Sequence, residues 1–204
     1  MGAFRRSVVG FGVLGTALTG AAYLLGSVSF GLLAARRSGV DLRTTGSGNI
    51  GATNVGRALG KRTGRVVLAL DALKGAIPAA TSWALLGPDD PYTASVGVAA
   101  VVGHCFPLWH RFRGGKGAAT AAGVMLTLVP LAGLAATLIY VALKKLTRRA
   151  SVGSLAGALT GAVVAGALLG PTPRAWMTCA ILGVVVLRHL GNIRRLIRGE
   201  EPES

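Results

Sequence analysis

Long runs of uncharged, mostly apolar residues constrain the fold of this chain more than any other feature. Four runs without Asp, Glu, Lys or Arg each hold 19 to 29 residues, namely 7–35, 91–109, 117–143 and 150–173. Two shorter runs, 75–88 and 175–187, follow the same pattern. A helix needs about 20 apolar residues to cross the hydrocarbon core of a bilayer. The sequence therefore predicts an all-helical protein that crosses the membrane several times.

The composition excludes the main alternatives to a membrane protein. Charged residues make up 14% of the chain, whereas a soluble domain carries roughly 25%. At 51% hydrophobic residues the chain is too apolar to be disordered, and its two cysteines do not make a disulfide-stapled secreted domain. A soluble nucleic-acid binder would share the net charge of +15 but not so much apolar surface. We therefore expect no nucleic-acid partner.

The few charged residues predict the orientation of the chain. Asp89 and Asp90 are the only charges in the polar turn 87–91. Basic residues instead dominate four other segments, 36–65, 111–116, 144–149 and 188–198. Cytoplasmic loops of membrane proteins carry an excess of Lys and Arg. The four basic segments are therefore expected in the cytoplasm and the Asp89–Asp90 turn outside.

This orientation requires two of the apolar regions to turn back. Segments 111–116 and 144–149 share a side only if residues 117–143 enter and return, with Pro130 at the turn. Residues 150–187 must likewise make two passes, with a turn at 171–173.

With single passes for 7–35, 66–88 and 91–109, this gives about seven transmembrane helices in one domain over 1–204. The N-terminus is outside and the C-terminus cytoplasmic. A single straight span over 117–143 would place 188–204 outside and break the charge rule, while Arg5 and Arg6 violate that rule in either case.

The first polar segment that suggests chemistry is GSGNIGATNVGR, residues 46–57. Glycines allow backbone N–H groups to converge on phosphate oxygens, and Arg57 adds a bidentate cation. Its G-x-G-x-x-G pattern, with Asp71 20 residues beyond Gly51, imitates a dinucleotide fingerprint, but no apolar strand precedes it. The alternative is a glycine-rich turn without a ligand.

The second polar segment is FRGGKGAAT, residues 112–120. It is not a Walker A motif, because Lys116 is followed by Gly117 rather than Ser or Thr. It still places a cation and flexible backbone at the start of a membrane helix, where anions are favoured. The alternative is a positively charged flank with loop glycines.

The third segment runs from residue 188 to residue 201. His189 and Asn192 are three residues apart, so a helix places them on one face. An imidazole beside an amide can position or deprotonate a hydroxyl group, or stabilise an oxyanion. The alternative is an amphipathic tail on anionic lipid.

Asp71 and Lys74 form an i, i+3 pair inside an otherwise apolar stretch. Such a pair is either functional within the membrane or structural near the cytoplasmic interface. The three histidines are scattered and lack carboxylate partners in the sequence, so we expect no metal site. The three glycine- and cation-rich segments together favour an anion site, with phosphate as first choice, at the cytoplasmic face.

These segments resemble the signatures of one bacterial family. Residues 46–57 resemble the first signature, GSGNxGATNxxR, of the acyl-phosphate:glycerol-3-phosphate acyltransferases (the PlsY family). Residues 71–75 resemble its D-x-x-K-G, and residues 103–120 its G-H-x-F-P followed by F-x-G-G-K-G-x-A-T. Residues 189–201 resemble H-x-x-N-I followed by G-x-E.

The matches run in order from Tyr23 to Glu201, nearly the whole chain. One departure is that Leu190 and Gly191 stand where family members often have charged residues.

The resemblance implies that the chain transfers a fatty acyl group from acyl-phosphate to the 1-hydroxyl of sn-glycerol 3-phosphate. The products would be lysophosphatidic acid and phosphate, in the first acylation of phospholipid synthesis. It also implies a seven-helix fold in the bacterial cytoplasmic (inner) membrane, with the active site at the cytoplasmic face and no metal or cofactor. The expected partners are the two substrates, membrane lipid and the soluble enzyme that makes acyl-phosphate.

We expect catalytic roles for Ser47, Arg57, Lys116, His189 and Asn192. The residues expected to bind substrate phosphate are Gly46, Ser47, Gly48, Asn49, Gly51, Ala52, Thr53, Asn54, Arg57, Lys74, Gly114, Gly115, Lys116 and Gly117. Asp71 and Glu201 are expected to give structural support. Either His189 or a substrate phosphate oxygen is the base.

Two rivals share the apolar spans. A transporter for an organic phosphate predicts inverted repeats and charges along a path at the midplane, and the sequence shows neither. A lipid-binding scaffold would not need Ser47, Asn54 or Asn192.

Overall fold

The computed structural model describes the backbone of residues 2–203 and the side chains of residues 12–203. Arg5 and Arg6 lie outside the described side chains. Within these limits the chain is entirely helical and has no β-strand. Its α-helices are α1 (Gly2–Gly26), α2 (Phe30–Arg37), α3 (Ala52–Leu59), α4 (Lys61–Leu86), α5 (Pro91–Cys105), α6 (Ala118–Leu128), α7 (Pro130–Thr147), α8 (Ala150–Leu169), α9 (Pro173–Arg188) and α10 (Leu190–Ile197).

Prolines and capping residues set several helix boundaries. Pro91, Pro130 and Pro173 each occupy the first turn of a helix, where the missing N–H costs nothing. Pro130 divides residues 117–143 into α6 and α7, so the expectation of two helices is confirmed and the single straight span is wrong. Residues 150–187 likewise form two helices, with the break at residues 170–172.

The first apolar run, predicted to make one pass, lies in one candidate span, but its helix is interrupted inside that span. The backbone leaves the helix at residues 27–29, between α1 and α2. Ser27 is fully buried there, and its hydroxyl donates to the Tyr23 carbonyl over 2.8 Å. The run has neither a charge nor a proline at this point, so its composition gave no sign of the interruption.

Four helical stretches of the described chain are long and apolar enough to cross a membrane, namely Gly12–Arg37, Pro91–His110, Pro130–Thr147 and Ala150–Leu169. The pair α9 and α10 qualifies as a fifth if counted as one span bent by 61°. Large apolar side chains such as Leu131, Val163 and Trp176 point outward with about two thirds of their surface exposed. Such a surface fits the hydrocarbon of a bilayer and would be unfavourable in water.

Helix α4 has 26 residues and includes both Asp71 and Lys74. Their side chains are only 2–3% exposed and form an ion pair of 3.0 Å. The pair therefore lies inside the helical bundle, and the charges are neutralised locally instead of facing solvent or lipid.

Small residues allow the helices to approach closely. A Cβ atom on Gly26 would collide with the Ala100 carbonyl, and one on Gly103 with the Tyr23 carbonyl. Both glycines therefore fix the contact of α1 with α5. Close approach through glycine is typical of membrane helices, where water does not drive association.

Candidate functional site

One cavity of about 380 Å³ collects most of the polar residues that the sequence singled out. It lies between α3, α4, α6, α7, α8 and the α9–α10 bend. The cavity has a polar part, and it also has an apolar part lined by Leu68, Met125, Leu126, Ala136, Val141 and Ala158. It can therefore hold a molecule with both a charged and an apolar portion.

The lining settles which predicted residues the fold brings together. Those in the wall are Ser47, Asn49, Gly51, Ala52, Thr53, Asn54, Arg57, Asp71, Lys116, Gly117, His189, Asn192 and Glu201. Those outside the wall are Gly46, Gly48, Lys74, Gly114 and Gly115. Three segments that lie far apart in the sequence thus contribute to one site.

Asn54 closes the first glycine-rich loop upon itself. It is 1% exposed, and its Oδ1 accepts from the Ser47 N–H over 2.9 Å. Its Nδ2 donates to the carbonyls of Thr45 and Leu42 over 2.9 and 3.2 Å. Gly46 has a φ of +60°, and a Cβ there would collide with Asn54 Oδ1. The Asn54 amide, expected to bind phosphate, is therefore already used to shape the loop.

The loop leaves a row of backbone donors free beside the cavity. The N–H groups of Asn49, Gly51, Ala52 and Thr53 donate no hydrogen bond to any residue that the structure describes. Ala52 and Thr53 form the first turn of α3, where unpaired amides and the helix dipole favour an anion. Arg57, one turn later, also lines the cavity and donates to the Glu203 carbonyl.

The second glycine-rich loop is organised differently. The N–H groups of Gly114 and Gly115 donate to the carbonyls of Cys105 and His104, each over 3.1 Å. A Cβ on Gly115 would collide with the His104 ring, and one on Gly114 with the His104 carbonyl. These two glycines were expected to bind phosphate, but their amides are occupied and they lie outside the cavity wall. Close packing explains why they are glycines.

The residues that follow them do reach the cavity. Lys116, Gly117 and Ala118 line it, and Gly117 turns the chain into α6 with a φ of +84°. No described residue accepts a hydrogen bond from the N–H groups of residues 116–119. The start of α6 is therefore a second helix N-terminus beside the same cavity.

Burial lowers the pKa of Lys116 to about 8. The Glu201 carboxylate opposes this shift, while the charges of Arg195, Arg188 and Arg57 strengthen it. The ammonium group is thus mostly charged at neutral pH and available to an anion in the cavity.

His189 is 2% exposed and lies between α9 and α10. Its Nδ1 is 2.8 Å from the Val185 carbonyl, which can only accept a hydrogen bond. In the neutral ring Nδ1 must therefore carry the proton, and Nε2 keeps a lone pair. Nε2 can accept a hydrogen bond from a hydroxyl group in the cavity.

Glu201 fastens the C-terminal segment beside the cavity. Its carboxylate accepts from Ser151 over 2.7 Å, from Asn192 over 2.6 Å and from Arg195 over 2.8 Å. Burial alone would raise the pKa of Glu201, but these hydrogen bonds hold it below its usual value. One N–H of the Asn192 amide is thereby committed, which leaves its second N–H and its oxygen for a ligand.

Lys74 does not line the cavity, although it was expected to contact phosphate. Its Nζ is 3.0 Å from Asp71 Oδ1 and donates to the Val28 carbonyl over 2.8 Å. Asp71 Oδ1 is also 3.6 Å from His104 Nδ1. Since the His104 carbonyl holds Gly115, this buried cluster supports the second loop.

Sequence analysis missed four side chains that complete the site. Ser151, Arg149 and Arg195 hold Glu201, and Arg188 contacts the second loop. The three arginines lie in basic segments whose charge was already explained by the excess of Lys and Arg in cytoplasmic loops, so the sequence gave no further signal for them. Within residues 2–203, no group of three His, Cys, Asp or Glu side chains is arranged to hold a metal ion.

Comparison with known proteins places these observations in a family. Residues 16–199 match the family model described as glycerol-3-phosphate acyltransferase. A glycerol-3-phosphate acyltransferase of Myxococcus xanthus is 49% identical over 181 residues, which cover 88% of this chain and 94% of that protein. One from Geobacter sulfurreducens is 45% identical over 184 residues, or 90% and 94% of the two chains.

Two solved structures share the fold. The glycerol 3-phosphate form of PlsY (YgiH), an integral membrane glycerol 3-phosphate acyltransferase, has a TM-score of 0.90 and is 39% identical. The match covers 93% of this chain and 95% of that one. Its lysophosphatidic acid form has a TM-score of 0.88 at 38% identity and covers 93% and 94% of the two chains.

Proposed function

The chain belongs to the glycerol-3-phosphate acyltransferase family, and we propose that it uses an acyl-phosphate as its acyl donor. It is a multi-pass membrane enzyme that acylates glycerol 3-phosphate. In the proposed reaction, the 1-hydroxyl oxygen of glycerol 3-phosphate attacks the carbonyl carbon of the donor. The bond from that carbon to the phosphate oxygen breaks, and the products are lysophosphatidic acid and inorganic phosphate.

The observation that carries this proposal is the meeting of two helix N-termini at one cavity. The first turns of α3 and α6 both line it, and each comes with a nearby cation, Arg57 or Lys116. Free amides at a helix N-terminus, together with a cation, form an anion site. Two such sites match a reaction in which both substrates carry a phosphate group.

The apolar part of the cavity supports an acyl substrate. Its lining comes from α4, α6, α7 and α8 and includes Met125, Ala136 and Val141. An acyl chain placed there would lose contact with water while its phosphate stayed among the polar residues. The reacting carbonyl would then lie where the two parts of the cavity meet, close to His189.

In this arrangement His189 Nε2 accepts the hydrogen of the attacking hydroxyl, and the second Asn192 N–H donates to the oxyanion that forms at the carbonyl. Lys116 and the free amides of α6 stabilise the negative charge that develops on the departing phosphate. Either His189 or a phosphate oxygen of a substrate takes the proton. Acyl-phosphate is an activated donor, so holding the two substrates in place supplies most of the rate.

We further propose seven membrane helices, formed by α1 with α2, α4, α5, α6, α7, α8 and α9. The N-terminus is outside and the cavity opens to the cytoplasmic face of the bacterial inner membrane. The clustering of basic residues at the ends that carry Lys116 and His189 supports this orientation. The soluble enzyme that makes acyl-phosphate is the proposed partner, because it would release its product near this face.

The decisive experiment uses the purified full-length protein in lipid nanodiscs. We expect phosphate release from palmitoyl-phosphate that depends on glycerol 3-phosphate, together with one lysophosphatidic acid per phosphate. Palmitoyl-CoA is the matched donor control and should give no product. Turnover with palmitoyl-CoA, or none with palmitoyl-phosphate from a folded protein, would refute the proposed donor.

A further inference from the structure

Arg188 makes a set of contacts to which the proposed reaction gives no role. It is the last residue of α9. Its Nη2 donates to the Gly114 carbonyl over 2.9 Å, and its Nε donates to the Gly115 carbonyl over 3.0 Å. Its Cζ lies 5.2 Å from the centre of the Phe106 ring. The guanidinium group is therefore held between two carbonyls and an aromatic face.

The loop that Arg188 contacts is held from a second direction. The Gly114 and Gly115 amides are bonded to carbonyls at the end of α5, so all four backbone groups of the two glycines have protein partners. Glycine loses more conformational freedom on folding than any other residue. A Gly-Gly pair keeps one conformation only when other residues hold it in place. Here the hydrogen bonds with α5 and with Arg188 at the end of α9 do so.

Gly115 and Arg188 are each adjacent in the sequence to a residue of the proposed active site. Gly115 precedes Lys116, and Arg188 precedes His189. One side chain thus bridges the backbone beside a phosphate-binding lysine and the backbone beside the residue that contacts the hydroxyl group. The separation between those two parts of the site depends on this bridge.

We propose that Arg188 is a positioning residue for acyl transfer. Its guanidinium group clamps Gly114 and Gly115 and so fixes Lys116 and the first turn of α6 relative to His189. Arg188 itself does not line the cavity, so it acts through the loop and not on the substrate. The inference rests on the proposed function for the roles of Lys116 and His189.

The geometry calls for arginine and not merely for a positive charge. A guanidinium group is a planar fork that donates two hydrogen bonds side by side and stacks on an aromatic ring. A lysine ammonium is a compact point charge on a flexible chain. Its single nitrogen does not offer two donors side by side at the separation of Nε and Nη2, so it does not hold the Gly114 and Gly115 carbonyls in the same relative position.

The test compares R188A and R188K with R194A as the matched control. Arg194 is an exposed arginine of the neighbouring helix α10, and no side-chain contact of it is seen in the described chain. Because a displacement of about 1 Å costs roughly 100-fold in rate, we expect about a 100-fold loss of kcat in R188A. KM for each substrate should change much less. R188K should stay close to R188A, and R194A should match the wild type.

Chemical rescue distinguishes positioning from a general loss of structure. Methylguanidinium should occupy the space vacated in R188A and restore much of kcat, while it should not activate R188K or a His189→Ala variant. Hydrogen exchange gives a readout that does not need the donor to be known. The peptide 111–119 should exchange faster in R188A than in R194A, because the bonds of its Gly114 and Gly115 amides to α5 are no longer braced.

Several results would overturn the clamp. They are wild-type kcat in R188A, wild-type kcat in R188K, unchanged exchange of residues 111–119 in R188A, or no rescue of a folded R188A. R188K keeps the experiment decisive if R188A does not fold. Failure of the proposed function is recognised separately, since wild-type protein would then not turn over palmitoyl-phosphate while the exchange experiment still tests the clamp.

Discussion

The two glycine-rich loops look alike in the sequence but are held in opposite ways. Each combines glycines with basic residues and leads into a helix, over residues 46–57 and 112–120. The first loop is shaped from within by Asn54, a residue of the helix that it precedes. The second is shaped from outside, by His104, Cys105 and Arg188. The glycines of the first loop therefore leave backbone amides free beside the cavity, whereas Gly114 and Gly115 of the second loop allow close packing.

The largest effect should come from adding a methyl group to the second loop at a position where there is no room for one. Gly115→Ala places a methyl group into the His104 ring and must displace the loop. We expect kcat/KM to fall by about 100-fold or more, since Lys116 moves with it. Gly51→Ala in the first loop should cost far less, because its Cβ meets only the end of the Asn49 side chain at 3.1 Å.

Gly183→Ala is the control for adding a methyl group, since no atom lies within 4 Å of that position. It should have wild-type kinetics. Equal activity of the Gly115 and Gly183 variants would contradict the packing explanation.

The next effect tests whether one side chain holds the first loop. Asn54→Ala removes three hydrogen bonds at a buried position. Unsatisfied buried groups cost about 1–3 kcal/mol each, so we expect a clearly lower unfolding temperature and a kcat reduced by at least about tenfold. Thermal unfolding in nanodiscs and steady-state kinetics measure the two. Asn54→Asp keeps the acceptor but turns a carboxylate oxygen toward the Leu42 and Thr45 carbonyls, so it should be no more stable than Asn54→Ala.

Variants of Arg57 and Lys116 should show which of the two residues binds the phosphate of which substrate. Hydrogen bonds to charged groups contribute about 1.5–3 kcal/mol, so Arg57→Ala and Lys116→Ala should each raise one KM by at least about tenfold. If the loops bind different phosphates, one variant raises KM for glycerol 3-phosphate and the other raises KM for acyl-phosphate. Unchanged kinetics in both variants would refute the assignment of these residues to phosphate binding.

The smallest expected effect is a dependence of KM on pH that arises from the second loop and not from the first. The pKa of Lys116 in the second loop is lowered to about 8, whereas the first loop contains no lysine. Lysine binds phosphate when protonated, so affinity is full well below pH 8 and falls as pH rises through this value. With a pKa of about 8, the KM that depends on Lys116 should rise about fourfold from pH 7 to pH 8.5.

Lys116→Arg should flatten this dependence, because its charge persists. The phosphate of the substrate, with a second pKa near 6, is already about nine-tenths ionised at pH 7, so its own titration changes KM by only about a tenth in this range. A rise of the same size in Lys116→Arg would assign the titration to another group.

The sequence was most informative where structure is determined locally. Pro130 and Pro173 start helices because a proline without an N–H fits the first turn, so the divisions of 117–143 and 150–187 were predictable. The break at residues 27–29 was not. It depends on a buried polar turn whose partners lie elsewhere in the bundle, among them the Lys74 ammonium, which donates to the Val28 carbonyl.

The candidate site shows the same limit. Ser47, Lys116, His189 and Asn192 were all singled out by their chemistry, and the fold places all four at one cavity. What the sequence could not provide is which polar groups are already paired. Whether an amide faces a ligand or a carbonyl of another helix depends on tertiary contacts.

Three residues that were expected to bind phosphate illustrate how tertiary contacts use up polar groups. Lys74 pairs with Asp71, and the Gly114 and Gly115 amides bond to α5. Arg188 is the converse case, since it looked like one more basic residue of a cytoplasmic flank and instead holds the second loop.

The buried Asp71–Lys74 pair also bears on how the chain enters the membrane. A single charged side chain at the centre of a membrane helix costs about 2.5–3.5 kcal/mol on insertion scales. The partners that offset this cost include Val28 near the end of α1 and His104 in α5. Asp71 and Lys74 offset part of this cost within α4 itself, and Val28 is already synthesised when α4 emerges. The contact with His104 forms only after α5 follows, so assembly of this buried cluster continues after α4 has been made.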